Sequence, residues 1–368
     1  MIRLRPDLAA LPAYRQGRIP DAGERVFKLS SNESPYGPLP PVAEAIAAAA
    51  ADVNRYPEAA ASALTEAVAS RYGVAPDQVV FGGGSVESVS QVIRAVAGPG
   101  DDIVYAWRSF EAYPLLTIGA GATPVPVPLT ADGRHDLPAM RAALTDATRL
   151  VILCTPNNPT GPAIPADELG EFVASVPPEV CVLLDEAYLH FQAGQDAGAP
   201  DADPGVALLR EHPNVVVAHT FSKAHGLAGL RVGYALASIE VADALRKVAM
   251  PFAVTHLAQA AALASLAAYD ELAERVASLI DERTRVTDAL TAAGWELPDS
   301  QTNFVWFGLG PDTAAASEVF AAHGLIVRAF PGEGLRVTIA EADASPLILA
   351  AAAELVERGL TNGRHRAG

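Results

Sequence analysis

Apolar residues in this chain fall into short, mostly β-branched or leucine-rich runs, each closed by a polar or glycine-rich stop. Val79-Val80-Phe81 runs into Gly82-Gly83-Gly84-Ser85, and Leu150-Val151-Ile152-Leu153-Cys154 into Thr155-Pro156-Asn157-Asn158-Pro159-Thr160-Gly161. Val180-Cys181-Val182-Leu183-Leu184 delivers Asp185-Glu186-Ala187-Tyr188, and Val215-Val216-Val217-Ala218 delivers His219-Thr220-Phe221-Ser222-Lys223. Such continuous runs read as strands buried on both faces. The stretch 86–97 reads as a helix opened by Ser85. Strand–helix alternation over residues 64–236 predicts a mostly parallel sheet covered by helices. Ligands of open α/β sheets sit at the carboxyl ends of the strands, so the four stops are expected to converge there.

Over residues 241–293 the pattern turns helical. Leu245, Val248, Leu263, Leu266 and Leu272 recur at mixed three- and four-residue steps, which predicts a helix pair crossing to a smaller domain. Residues 302–307, 325–328 and 335–339 supply the strands of that domain. The expected division is an N-terminal segment 1–50 packing with the small domain, a large domain 51–250, and a connecting helix with the small domain over 251–368. The acidic, alanine-rich residues 195–204 read as an exposed loop, and the tail 362–368 as frayed. No internal repeat is visible.

Composition narrows the class without naming a reaction. A chain of 368 residues, half of them hydrophobic, can bury a large core and suggests about two domains. The apolar surplus is alanine-rich helix, no run reaches the ~18 apolar residues of a membrane span, and the start does not read as a signal peptide. A net charge of −17 argues against nucleic acid and anionic membranes as partners. Cys154 and Cys181 lie in expected core strands, as thiols in a reducing cytoplasm do. Neither they nor the eight histidines show metal-ligand spacing.

Lys223 is the residue with most chemistry in prospect. Leaving a buried strand beside Thr220, Ser222 and Arg231, its amine is expected to be desolvated and therefore nucleophilic toward a carbonyl. Taken singly, each such residue also has an ordinary reading: Lys223 on a surface loop, Asp185 as a helix cap, Asn158 in a turn, Gly83 and Gly84 in a loop, Phe110 in the core, Tyr56 in a surface turn.

Taken together, the four stops in this order, with Leu29-Ser30-Ser31-Asn32-Glu33-Ser34-Pro35-Tyr36-Gly37-Pro38 before them and Leu335-Arg336-Val337-Thr338-Ile339 after, resemble the fold-type-I pyridoxal-phosphate aminotransferases. The branch most similar is the histidinol-phosphate and aromatic amino-acid (phenylalanine) one. The resemblance implies an α/β fold with a large, mostly parallel sheet, a smaller α/β domain and a homodimer. It implies that Lys223 bonds covalently to pyridoxal 5'-phosphate and moves the substrate's proton, and that Asp185 pairs with the pyridine nitrogen. Asn158 and Tyr188 would donate to the ring's phenolate oxygen, and Phe110 would stack on its face. Gly83, Gly84, Ser85, Thr220, Ser222 and Arg231 would hold the phosphate, with Tyr56 reaching the partner's phosphate site. Arg336 would bind the substrate carboxylate, with Arg328 and Asn32 beside it.

Two departures stand out. Ala340-Glu341 follows Ile339 where a glycine and a small polar residue are usual, and Gly82-Gly83-Gly84-Ser85 lacks the acidic residue of many histidinol-phosphate enzymes. The implied reaction moves an amino group from an aromatic L-amino acid to a 2-oxo acid such as 2-oxoglutarate. Histidinol-phosphate transamination is the alternative; a pyridoxal-phosphate decarboxylase and a non-catalytic phosphate-binding protein stand further off.

Overall fold

The computed structural model describes residues 26–192 and 203–365, together with 2, 5–9 and 11. The described residues contain eleven strands in two sheets. They are β1 (Phe27–Leu29), β2 (Val79–Gly82), β3 (Asp102–Trp107), β4 (Thr123–Pro128), β5 (Thr148–Cys154), β6 (Cys181–Asp185), β7 (Val215–Thr220), β8 (Gly233–Leu236), β9 (Phe304–Phe307), β10 (Leu325–Phe330) and β11 (Gly334–Thr338). The larger sheet has the order β2-β8-β7-β6-β5-β3-β4 and the smaller β1-β10-β11-β9.

The continuous apolar runs are explained by two-sided burial. In β6, Val182 and Leu184 enter one apolar cluster while Cys181 and Leu183 enter another; in β7, Val215 and Val217 oppose Val216 and Ala218 in the same way. With helices on both faces, the period-2 alternation separates two cores rather than core from water. Both cysteines are free and buried in their strands, and burial pushes each thiol up to about 12.

Among the described strands of the larger sheet, only β8 runs against its neighbours. Gly233 lies opposite Gly82 on one side and Thr220 on the other, so β2 and β7 run the same way. Strands β5, β6 and β7 are mutually parallel, and the four sequence stops therefore share one edge of the sheet. Strands β3 and β4 were not among the runs singled out in the sequence. In β4, Pro124, Pro126 and Pro128 occupy alternate positions on the sheet's outermost strand. A strand can carry prolines where their missing N–H groups face an open edge.

The stretch 241–293 is covered by three helices rather than a pair: Ile239–Val248, His256–Ala267 and Tyr269–Ala292. Leu263 is exposed, and the second helix buries Ala258, Ala261, Ala262 and Ser265 instead. Its interior face is built of small residues that let the helix Pro40–Ala49 approach, with Leu266 partly buried beside them. The third helix serves two cores, with Leu272, Val276 and Leu279 in the large one and Val286 and Leu290 in the small one. The segment before residue 50 is likewise divided, β1 pairing with β10 while Val42 joins the large core.

The terminal stretch is held rather than frayed as far as it is described. Asn362 donates its amide to Asp312, and the Arg364 carbonyl accepts from the Glu296 amide. Apart from Asp203 and Pro204, the loop expected over residues 195–204 lies outside the described residues; Asp203 caps the helix Pro204–Glu211 by accepting from the Val206 amide.

Candidate active site

A cavity of about 570 Å³ opens where the carboxyl edge of the large sheet meets the small one. Ser85, Phe110, Asn158, Asp185, Tyr188, Thr220, Ser222, Lys223, Arg231, Arg328 and Arg336 line it, so most of the residues singled out in the sequence face one space.

Lys223 follows β7 directly, and its Nζ donates to the Ser31 carbonyl at 3.0 Å. The residue keeps some exposure along its length, but its amine is enclosed. That desolvation, with the nearby cations Arg336, Arg231 and Lys28, lowers its pKa to about 7, against a smaller raising effect of Glu33. Asp185 ends β6 and is 4% exposed. Its Oδ2 accepts from the Tyr113 hydroxyl at 2.7 Å, whereas the buried Oδ1 has no hydrogen-bond partner among the described residues. Burial raises the pKa of this carboxyl. An orphaned carboxylate oxygen at a cavity wall is the acceptor that a protonated ring nitrogen would satisfy. Tyr113, on the helix Ala112–Ala120, was missed in the sequence because nothing local marks a tyrosine that becomes a neighbour of Asp185 only through folding.

The phosphate side is organised differently in detail from the expectation. The Gly83 amide donates to the Glu87 carboxylate and the Gly84 amide to the Gly82 carbonyl, so both are engaged within the loop, and neither glycine lines the cavity. Ser85 and Val86, at the first turn of the helix Ser85–Val96, face it instead. The first amides of a helix have no partner within it and favour an anion. Arg231 joins the two sides: Nη1 donates to Ser222 Oγ at 3.2 Å and Nη2 to the Gly83 carbonyl at 3.3 Å. Gly84 has φ +88°, and a Cβ there would collide with the Arg231 guanidinium, so the position requires glycine twice over. Thr220 Oγ1 accepts from the Ser222 amide at 3.1 Å.

On the small sheet, β10 and β11 set Arg328 directly opposite Arg336. Arg336 Nη1 donates to Asn158 Oδ1 at 2.5 Å and Nη2 to the Ser30 carbonyl at 2.7 Å, while Arg328 Nη2 contacts Glu111 Oε2 at 2.8 Å. Phe110 meets Tyr113 edge to face at 5.6 Å between centroids. Asn32 is fully buried and does not line the cavity; its Nδ2 donates to the Tyr188 hydroxyl at 2.8 Å and its Oδ1 accepts from Thr338. Burial pushes the Tyr188 hydroxyl up to about 12. Tyr56 stands apart, 83% exposed and stacked on Phe252 at 4.8 Å.

Spacing along the chain gave no sign of one further cluster. Glu186, Asp203 and His219 lie buried within 4.8 Å of one another behind β6 and β7. His219 Nε2 stands 2.9 Å from Glu186, and its Nδ1 stands 2.9 Å from the Tyr72 hydroxyl. Burial and Asp203 raise the Glu186 pKa, and burial lowers that of His219, which favours neutral groups that hydrogen-bond one another.

The fold defines the class. The histidinol-phosphate aminotransferase of Sinorhizobium meliloti, solved in complex with pyridoxal-5'-phosphate, superposes with a TM-score of 0.84 at 30% identity, covering 97% of this chain and 98% of that one. An aspartate aminotransferase of Thermus thermophilus shares the fold at 21% identity and a TM-score of 0.80. Residues 24–353 match the model of aminotransferase class I and II, and the chain belongs to that family of enzymes. Its relatives include proteins named aromatic amino acid aminotransferase from Thermobifida fusca, 53% identical over 95% of this chain and 96% of the relative, and from Cutibacterium acnes, 52% identical over 89% and 92%.

Proposed function

We propose that this enzyme transfers the amino group of an aromatic L-amino acid of the phenylalanine type to a 2-oxo acid such as 2-oxoglutarate, using pyridoxal 5'-phosphate. The observation that carries the reading is the orphaned Asp185 Oδ1, set in one cavity with a low-pKa lysine and three arginines. These residues fit the cofactor: a carboxylate for its ring nitrogen, an amine for its aldehyde, and Ser85, Ser222 and Arg231 for its phosphate. When bound, the cofactor supplies an electron-accepting ring that stabilises negative charge at the amino acid's α-carbon.

The side chains do the rest. Asp185 would face the ring nitrogen and favour its protonated form, and Tyr113 holds Asp185 in place. Asn158 and Tyr188 would hold the ring from the side of its phenolate oxygen, and Asn32 in turn fixes the Tyr188 hydroxyl. Lys223 Nζ would take the proton from the substrate α-carbon and hold it for return, as a base with a pKa near neutrality can. Arg336 fixes the α-carboxylate through its planar fork.

Aromatic side chains are favoured by Phe110 and Phe330 in the cavity wall and by the names of the relatives at about half identity. Histidinol phosphate is the second reading, favoured by the adjacent arginines and by the Sinorhizobium structure. Steady-state kcat/KM for phenylalanine, tyrosine, tryptophan and histidinol phosphate decides between them. Phenylalanine is expected to exceed histidinol phosphate, and the opposite order replaces the aromatic reading with the second. We further propose a homodimeric, cytoplasmic enzyme; no helix among the described residues is long and apolar enough to cross a membrane.

A further inference from the structure

We infer that Glu111 selects against substrates with an anionic side chain by occupying Arg328, an inference that rests on the aminotransferase reading above. Arg328 and Arg336 are cross-strand partners, and two cations directly opposite one another repel. The structure holds them by different means. The acceptors named for Arg336, Asn158 Oδ1 and the Ser30 carbonyl, are uncharged, whereas Arg328 faces the full negative charge of Glu111 at 2.8 Å.

Glu111 follows Phe110 immediately, and both face the cavity with Phe330 and Arg328. A second ion pair, Arg108 with Glu333, ties the same loop to the turn between β10 and β11, so Glu111 is presented from a braced segment. An amino acid held by its α-carboxylate at Arg336 fills the space left between these groups. An uncharged ring lies against Phe110 and Phe330 and leaves the Glu111–Arg328 pair intact. A phosphate or a distal carboxylate meets the charge of Glu111 and must compete with it for Arg328. Selectivity then comes from an element that opposes the wrong ligand as well as from one that favours the right ligand. A dicarboxylic acceptor is admitted against this same resistance.

The test is kcat/KM of the holoenzyme for phenylalanine, glutamate and histidinol phosphate in wild type, Glu111→Gln, Glu111→Ser and Glu111→Asp. The Glu111 side chain is 31% exposed, so the neutral variants should fold, and two of them guard against the loss of one. Both neutral variants are expected to raise the histidinol-phosphate-to-phenylalanine ratio about tenfold or more and to lower KM for 2-oxoglutarate, as removal of a like charge facing an anion should. Glu111→Asp keeps the charge and the wild-type ranking. Adding Arg328→Gln to Glu111→Gln should abolish the gain. If Glu111 only braces the loop, all substrates fall in parallel and the ratio stays flat, which overturns the inference; so does a gain that survives without Arg328. The wild-type ranking tests the aromatic reading separately, because the shift on substitution is measured against that ranking whichever substrate leads.

Discussion

Lys223 and Asp185 sit within one cavity, and burial disfavours the charged form of both, so their pKa values move in opposite directions, down for the lysine and up for the carboxyl. For the lysine the consequence is a pH profile. An amine with its pKa lowered from 10.5 to about 7 is neutral above neutrality, so in cofactor-free enzyme its reaction with aldehydes should rise through pH ~7 and level off well before an ordinary lysine would. Borohydride trapping of pyridoxal phosphate across pH 5–10, with the label located by peptide mapping, measures this; a midpoint near 10, or a label on another lysine, contradicts it. For the carboxyl the consequence is a rate. Asp185→Asn leaves the shape and the Tyr113 contact but removes the charge proposed to face the ring nitrogen, and loss of such an electrostatic contribution typically costs ~10²–10³ in rate. The defect should fall on α-proton removal and enlarge the isotope effect with α-deuterated substrate. Wild-type turnover in Asp185→Asn would assign the nitrogen to another group.

Elements were legible in the sequence where local pattern and tertiary environment agreed. The four strands buried on both faces and their stops were, because a continuous β-branched run has few other ways to be satisfied. The prolines of β4 concealed a strand, since only its place at the sheet edge tolerates them. The alanine face of His256–Ala267 concealed the packing side, because closeness of approach rather than side-chain bulk decides it. Within the site, Lys223, Asp185 and Arg231 were readable from their strand ends, whereas Tyr113 and Glu111 become neighbours of Asp185 and Arg328 only through the fold. Arg283 belongs with these. On the helix Tyr269–Ala292 it is buried, its Nη1 donating to the carbonyls of Phe191 and Thr302 at 2.8 and 2.7 Å, and burial lowers its pKa to about 10. It ties the helix to the segment after β6 and to the approach to β9. Arg283→Leu strands two buried carbonyls, each worth ~1–3 kcal/mol. The denaturation midpoint should therefore drop clearly while KM for the amino acid in the folded variant stays near wild type. An unchanged midpoint would mean that the two carbonyls find other donors.

At the scale of the whole molecule, the exposed pair Tyr56 and Phe252 bears on assembly. Tyr56 does not line its own chain's cavity, and a large aromatic residue left 83% exposed on a ring neighbour is suited to being covered by another surface. If a second copy covers it and Tyr56 completes that copy's phosphate site, two inactive variants can repair each other. Tyr56→Ala weakens cofactor binding and Lys223→Ala abolishes turnover. In a mixed dimer one cavity then carries both wild-type residues and the other carries neither. Activity should reappear on mixing and approach, at full exchange, about a quarter of the wild-type value per subunit, because half of equally mixed dimers are hetero and each has one intact site. Subunit exchange is followed independently by native mass spectrometry with one variant isotope-labelled. If exchange is complete, Tyr56→Ala is inactive alone and no activity returns, Tyr56 acts within its own subunit and the shared-site reading falls.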